Sequence, residues 1–175
     1  SYYSINVPII SDTNTLTNRY KYKIFNEFFE NNITSFAISL ASTNSLTDND
    51  VKLSERLFIP SRNLRGFETG KIGPKDGSDF IGGNYSATFN AQSNIPGIFQ
   101  NFQNLDAVVF FDAGSLWGVD YDSSFDDGGK LRSSIGIGID WFTVAGPLNF
   151  SLSEVITKET NDIEESFRFN IGTTF

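Results

Sequence analysis

The 175-residue sequence contains neither cysteine nor histidine. Without cysteine the chain can form no disulfide and offers no thiolate as nucleophile or metal ligand. The additional absence of histidine argues against zinc, haem and histidine-based nucleophilic catalysis. The acidic residues are scattered through the predicted loops, without a repeated carboxylate pair at a spacing that would support acid–base chemistry. We therefore predict that the protein is not an enzyme and has no catalytic residue, cofactor or metal site.

Positive charge is also scarce, since 13 Lys and Arg residues stand against 21 Asp and Glu residues. The net charge of −8 and the lack of a Lys/Arg cluster argue against nucleic acid as a partner. No apolar run approaches the roughly 18–20 residues that a membrane-spanning helix needs. If the protein crosses a membrane, it must do so with β-strands.

Aromatic residues, in contrast, are abundant: they make up 15% of the chain, with 18 Phe against 2 Trp. The hydrophobic residues together reach only 39%. Such a chain has too few apolar residues for a large core but many bulky ones to place on a surface. A β-barrel with a hydrated lumen resolves the mismatch, because only every second residue must then be apolar.

Eight segments alternate apolar and polar residues with the period of two that is typical of β-strands. In the clearest of them, Ile135, Ile137, Ile139 and Trp141 alternate with serine, glycine and aspartate. The short turns between segments, such as the one predicted at residues 11–14, favour an antiparallel order. We therefore predict an all-β fold, an antiparallel transmembrane β-barrel. The segments lie near residues 3–9, 20–24, 36–40, 85–91, 107–116, 135–141, 148–152 and 167–175.

A soluble β-sandwich is the alternative fold, because its strands also alternate. The aromatic faces alternate with polar faces too uniformly for a sandwich, and no cysteine or buried-tryptophan signature is present. The two folds make opposite predictions for Ile137, Phe150, Phe169 and Ile171. These side chains face lipid in a barrel and a dry centre between two sheets in a sandwich.

The alternation is interrupted from about residue 43 to residue 82. This segment is rich in glycine and charge and contains Pro60 and Pro74. A loop of this length is usually functional or disordered. Because it also carries apolar residues, we predict that it packs against another part of the protein. These residues are Leu57, Phe58, Ile59, Leu64 and Phe67.

Several motifs follow one another between Arg56 and Phe175. The loop contains Leu64-Arg65-Gly66-Phe67, and one predicted strand contains the sequence FFDAGSLW from Phe110 to Trp117. The others are Ile81–Asn84, Leu131–Gly138, Gly146–Phe150 and the terminal segment Phe167–Phe175. In this order and spacing, the motifs resemble the C-terminal half of the barrel of the outer-membrane protein assembly factor family (the BamA family, with a bacterial surface antigen type barrel). The resemblance is weaker over residues 1–55.

The resemblance implies that residues 1–175 form the last eight strands of a 16-stranded barrel in the outer membrane of a Gram-negative bacterium. The first half of the barrel and the periplasmic domains are then absent from this sequence, and the loop at about 43–82 inserts into the lumen. The implied function is assembly and insertion of β-barrel proteins by strand templating at the barrel seam. The implied partners are outer-membrane lipid, unfolded β-barrel client proteins and periplasmic accessory lipoproteins.

The resemblance also implies a site inside the barrel. In the family, the arginine of the loop motif reaches into the lumen and pairs with acidic residues of the wall. Arg65 is that arginine here, Asp112 occupies the first wall position, and Gln92 occupies the second. Gln92 can accept a hydrogen bond but cannot neutralise Arg65.

The terminal segment resembles the aromatic-ended recognition signal of the family's last strand. The residues that carry this signal are Phe167, Phe169, Ile171, Gly172 and Phe175. An ordinary lipid-facing strand has the same pattern. The functional prediction is that the edge of this strand opens, so that an incoming strand can add to it.

Two glycines, Gly136 and Gly138, lie on the polar face of one predicted strand. They leave room for another backbone to approach, which the loop at Gly66 and Phe67 would fill, or they allow the strand to bend. Phe58 and Phe67 either anchor the loop in the lumen or pack within the loop itself.

Two alternative functions remain open. The first is protein translocation within the same superfamily, by a two-partner secretion transporter or an autotransporter assembly factor. The second is a small eight-stranded membrane anchor or adhesin without a role in assembly.

Overall fold

The computed structural model describes residues 1–7, 15–99, 102, 104–126, 128–144 and 146–171, and the regular secondary structure of this part of the chain is almost entirely β-strand. Short 3₁₀ turns occur at Leu53–Glu55, Ser61–Asn63 and Ser123–Phe125. The strands are β1 (Tyr2–Asn6), β2 (Thr15–Asn26), β3 (Thr34–Ser45), β4 (Gly66–Phe67), β5 (Lys75–Asp76), β6 (Asp79–Phe80), β7 (Tyr85–Asn94), β8 (Leu105–Trp117), β9 (Arg132–Thr143), β10 (Gly146–Thr157), β11 (Glu164–Glu165) and β12 (Phe167–Ile171). Within these described residues, no helix has the length and apolar character needed to cross a membrane.

Eight strands form one antiparallel sheet in the order β1-β2-β3-β7-β8-β9-β10-β12. Each strand of the sheet therefore pairs with the strand that precedes or follows it among the long strands, as the short turns predict. At the turn between β2 and β3, Asn31 has a φ of 61° and the amide of Asn32 donates to the carbonyl of Phe29 at 3.0 Å. The turn predicted at residues 11–14 lies outside the described residues. The prediction of an all-β antiparallel fold is confirmed.

The two faces of the sheet differ in polarity. On β9, Ile137 is 58% exposed, whereas Ser134 on the opposite face is buried. Phe169 and Ile171 of β12 are 44% and 71% exposed and lie on the same face as Ile137. We call this apolar face the outer face. Within the described residues, no second large sheet covers these exposed side chains, so the β-sandwich alternative is wrong.

The long connection between β3 and β7, residues 46–84, packs on the opposite face of the sheet. We call this connection the inner loop and the face that it covers the inner face. The buried apolar cluster forms here, between the inner loop and Leu116 of β8. The loop contributes Leu57, Ile59, Leu64, Phe67 and Ile72 to the cluster.

The inner loop starts slightly later than the sequence suggested. β3 continues to Ser45 because Thr43 pairs with Thr17 of β2, and their hydroxyl oxygens lie 3.1 Å apart. Both threonines are buried on the inner face. The alternation of apolar residues stops before this point, which hid the last part of the strand.

We predict that introducing an arginine on the outer face lowers the free energy of unfolding much more than introducing one on the inner face. Ile137→Arg should lower the free energy of unfolding in lipid vesicles by about 2–4 kcal/mol, because a cation would replace an aliphatic side chain in hydrocarbon. Asn149→Arg is the matched control, since Nδ2 of Asn149 donates to the Asp140 carboxylate at 2.7 Å and a cation there gains a partner. Equal losses in urea-induced unfolding would contradict the assignment of the faces.

Candidate functional site

The register of three strands builds a small grid of side chains on the inner face. One row contains Asn90 of β7 and Asp112 of β8, and Ser134 of β9 continues it. The adjacent row contains Gln92 of β7, Phe110 of β8 and Gly136 of β9. These two rows are neighbours because residues two apart along a strand share a face. The pairing of β7, β8 and β9 therefore determines which side chains of the wall face the inner loop together.

Arg65 of the inner loop contacts both rows of the grid. Its Nε lies 2.7 Å and its Nη2 lies 2.9 Å from the two carboxylate oxygens of Asp112. Its backbone amide also donates to Asp112, at 3.1 Å. Two parallel N–H···O bonds to one carboxylate define both the position and the orientation of a guanidinium group. The structure thus brings together the two residues that the sequence singled out.

Asp112 is fully buried, and each of its oxygens accepts more than one hydrogen bond. Beyond the bonds from Arg65, Nδ2 of Asn90 donates to Oδ1 at 2.8 Å. The same Nδ2 donates to the backbone carbonyl of Asn63 in the inner loop at 2.9 Å. A buried carboxylate is tolerated only when its charge is compensated and its lone pairs are used. Both conditions hold here.

Gln92 occupies the second wall position and accepts a hydrogen bond from Nη1 of Arg65 at 2.8 Å. The amide satisfies this donor without adding a charge. The pair Arg65 and Asp112 is therefore electrically neutral by itself, which suits a partly desolvated site.

Phe110 is a site residue that the sequence analysis missed. The Cζ atom of Arg65 lies 3.4 Å from the centre of the Phe110 ring, which gives a cation–π contact. The edge of the ring lies next to Gly136, where a Cβ atom would be only 2.3 Å from Cζ of Phe110. The ring therefore fills the space that the glycine leaves, and the guanidinium packs on the ring.

This arrangement corrects the expected role of the glycines. Gly66 and Phe67 do not fill the space at Gly136 and Gly138. At Gly138, a Cβ atom would lie 3.0 Å from Cγ2 of Val108 and 2.8 Å from the carbonyl oxygen of Phe150. Neighbouring strands of the sheet, rather than the inner loop, occupy both positions.

The backbone of the inner loop approaches the wall at Ser134, two residues before Gly136 on the same face of β9. A Cβ atom on Gly66 would lie 3.0 Å from the Cβ atom of Ser134, and Gly66 has a φ of +91°. Oγ of Ser134 donates to the carbonyl of Arg65. Both the space and the backbone conformation therefore require glycine next to Arg65.

The apolar residues of the loop motif are buried. Leu64 and Phe67 are both buried in the apolar cluster with Leu116. Phe58, in contrast, is 39% exposed and lies against Gly82 within the inner loop. Phe67 therefore packs between loop and wall, whereas Phe58 packs within the loop.

On the terminal segment, Phe167, Phe169 and Ile171 are exposed on the outer face. The rings of Phe150 and Phe169 stack with their centres 4.8 Å apart. Gly172 and Phe175 lie outside the described residues. The functional role of this segment remains a prediction.

A second set of contacts, also missed from the sequence, holds the connection between β10 and β12. Nε of Arg132 lies 2.9 Å from Oδ2 of Asp162, and both side chains are buried. Nη2 of Arg168 donates to the backbone carbonyl of Phe67 at 2.6 Å. In the sequence, the available signal was that Arg132 and Arg168 each occupy an inward-facing position of a strand, where a buried cation needs a partner. Their partners could not be identified, because they lie far away in the sequence.

The arrangement is suited to holding a loop rather than to bond-making chemistry. Among the described residues, no group of three or more acidic side chains is placed to hold a metal ion. The polar groups around Arg65 are used in contacts between the inner loop and the wall. Together, these contacts hold the inner loop in a fixed position on the inner face of the sheet.

Comparison with known proteins gives a consistent result. A family model described as the Omp85 superfamily domain matches residues 3–175. The chain is 30% identical over 128 residues to the outer membrane protein assembly factor BamA of Neorickettsia risticii, covering 71% of this chain and 17% of that protein. It is 31% identical over 141 residues to the protein of the same name from Neisseria meningitidis serogroup B, covering 65% of this chain and 18% of that protein.

A solved structure is also similar. The crystal structure of BamA from Haemophilus ducreyi lacking POTRA domains 1-3 matches with a TM-score of 0.76 and 27% identity. The match covers 89% of this chain and 34% of that chain. This chain therefore spans less than a fifth of the length of the two curated relatives described above.

We predict that Arg65→Ala releases the inner loop. Removing the guanidinium leaves the buried carboxylate of Asp112 without its counter-charge, which costs about 3–5 kcal/mol. The inner loop should then become accessible to trypsin, which would cleave after the lysine and arginine residues that remain within residues 46–84. Arg62→Ala is the matched control, because Arg62 lies on the same loop outside the Asp112 contact. If Arg65→Ala leaves the loop as resistant to trypsin as it is in the unmodified protein and in Arg62→Ala, the prediction is wrong.

We also predict that Gly136→Ala is destabilising, by about 1–3 kcal/mol, because the added methyl group would lie 2.3 Å from both Cζ of Phe110 and the backbone carbonyl oxygen of Leu152. If this steric conflict is the cause, Phe110→Leu should relieve part of it. The double variant should then lose less stability than the sum of the two single variants. Additive losses in urea-induced unfolding would show that the two positions do not interact.

Proposed function

The chain belongs to the Omp85 superfamily, and we propose that it is the C-terminal half of a 16-stranded outer-membrane barrel that assembles and inserts other β-barrel proteins. The observation that carries this proposal is the inner loop, held by Arg65 on the polar side of a sheet whose other side is apolar. An apolar outer face suits lipid, and a polar inner face suits a hydrated lumen. The relatives named as assembly factors support the same role.

The size of the inner loop supports a barrel larger than the described sheet. Eight strands can close into a barrel whose interior is just filled by side chains. Residues 46–84 on the inner face would not fit into such an interior. Further strands that continue the sheet from β1 and return to β12 would enclose the loop. We therefore infer that the eight strands are part of a wider barrel.

The proposed mechanism uses backbone hydrogen bonds and makes no covalent bond. In the described part of the chain, β12 pairs with β10 on one side, and its other edge has no partner strand in the sheet. We propose that in the whole barrel this other edge separates readily from the first strand. The free edge of β12 would then accept a strand of an unfolded client. The aromatic residues of the outer face would perturb the bilayer next to that edge.

The proposed partners follow from the two faces and from the relatives. Outer-membrane lipid contacts the outer face, and unfolded β-barrel clients contact the edge of the last strand. Periplasmic accessory lipoproteins are proposed as further partners through the resemblance to the assembly factor family. We place the protein in the outer membrane of a Gram-negative bacterium.

We predict that the contact between Arg65 and Asp112 is needed for client insertion. The whole protein should be reconstituted in vesicles of outer-membrane lipid and given an unfolded β-barrel client. Insertion is measured as the fraction of client that becomes protected from protease. Arg65→Ala should slow insertion about fivefold or more, which corresponds to roughly 1 kcal/mol in the barrier, whereas Arg62→Ala should not.

The same experiment separates the alternative functions. A secretion transporter of the same superfamily would move a passenger protein across the vesicle membrane without inserting it. A membrane anchor or adhesin would do neither, and its depletion from cells would leave other outer-membrane proteins properly inserted. Either of these results would overturn the proposed assembly function.

A further inference from the structure

Arg168 connects the last strand of the sheet to the inner loop. It lies on the inner face of β12, opposite Ser151 of β10, and is only 7% exposed. Its Nη2 donates to the backbone carbonyl of Phe67 at 2.6 Å, and its Nε donates to the Glu165 carboxylate at 2.8 Å. One guanidinium group thus bonds to the strand's own connection and to the loop.

The path of the chain explains why this contact matters. Glu164 and Glu165 form β11, which pairs with Phe67 and Gly66 of the inner loop rather than with the large sheet. The chain then crosses to the large sheet at Ser166, whose carbonyl accepts a hydrogen bond from the amide of Ser153 at 2.8 Å. The chain before Ser166 is therefore attached to the loop, and the chain after it is attached to the wall.

An arginine at this position requires an explanation, because burying a cation is costly unless it is paired. Glu165 supplies the opposite charge, and the Phe67 carbonyl takes a second donor. A planar fork can serve both acceptors at once, whereas the ammonium group of a lysine is a single point of charge. The contact therefore depends on the geometry of arginine as well as on its charge.

We propose that Arg168 is a positioning residue through which the inner loop controls the last strand, an inference that rests on the proposed function. Phe67 is two residues from Arg65, and Arg65 is fixed to Asp112 in the wall. The path from Asp112 to β12 therefore runs through the loop motif itself and one further hydrogen bond. When the loop shifts, the beginning of β12 shifts with it, and so does the edge that a client strand would join.

The absence of cysteine allows a direct test with introduced cysteines. Leu152 of β10 and Phe167 of β12 are partners in the register and both lie on the outer face. We call the variant with cysteine at both positions the last-strand reporter. The initial rate of its disulfide formation, measured in the whole protein in membranes, reports how closely the start of β12 is held to β10.

Arg168→Gln should slow disulfide formation in the last-strand reporter about fivefold or more, because β12 itself then loses its hydrogen bond to the Phe67 carbonyl and only the pairing of β11 still joins the connection to the loop. Arg168→Lys should restore only part of the rate. An unchanged rate in Arg168→Gln would overturn the inference. Heat-modifiable migration of the folded barrel is recorded for each variant, so that only folded protein is compared.

Lys130→Gln is the matched control. Nζ of Lys130 lies 2.9 Å from Oε2 of Glu159 in the same connection, but this ion pair is exposed to solvent and involves no residue of β12. This variant should leave the reporter rate unchanged. If it slows the reporter as much as Arg168→Gln does, the effect is a general loosening of the connection, and the inference is wrong.

A second comparison tests the route through the loop. Arg65→Ala should slow the reporter when Arg168 is present, and its effect should be smaller in an Arg168→Gln background, where only the pairing of β11 still joins the connection to the loop. Independent, additive effects would contradict the route. Client insertion is measured in parallel. If the reporter responds as expected but insertion is normal in Arg168→Gln, the coupling holds and the proposed strand-templating mechanism fails.

Discussion

The bidentate contact between Arg65 and Asp112 is the interaction on which the interior of this protein depends. It neutralises a fully buried carboxylate and fixes the loop motif against the wall. The neighbouring contacts are arranged around it: Asn90 and Gln92 satisfy the remaining polar groups, and Phe110 supports the guanidinium. If the loop lay elsewhere, Gln92 and Phe110 would lose their contacts with Arg65, and Asp112 would lose its counter-charge.

The fold combines two kinds of stabilisation that act on opposite faces of one sheet. The outer face presents isolated rows of aliphatic and aromatic side chains, which need hydrocarbon around them rather than a protein core. The inner face has a small apolar cluster, and most of its other contacts are hydrogen bonds and ion pairs. Three buried arginines, Arg56, Arg132 and Arg168, have carboxylate partners outside the long strands. Polar contacts therefore determine where the connections lie on the sheet.

Local pattern in the sequence was sufficient for the strands, because alternation with a period of two is a property of neighbouring residues. The pair Arg65 and Asp112 was found through the resemblance of two separate motifs, and the structure places them in contact. The pattern could not reveal that Phe110 stands opposite Gly136, because that depends on the register between β8 and β9. Nor could it show that Arg168 reaches Phe67, which is 101 residues away in the chain. These contacts arise only when distant segments are aligned.

Because the chain joins the large sheet only at Ser166, the described part of the wall has an uneven height. β12 accompanies β10 only as far as Leu152, while β10 continues to Thr157 with β9 on its other flank. Beyond Leu152 the edge of the described sheet is therefore formed by β10 in place of β12, and the position of this step is set by the residue at which the connection joins the sheet. If β12 began two residues later, the step would be deeper while β8, β9 and β10 kept all their side chains. The height of the rim at this point thus depends on where the connection ends and not on the side chains of the wall.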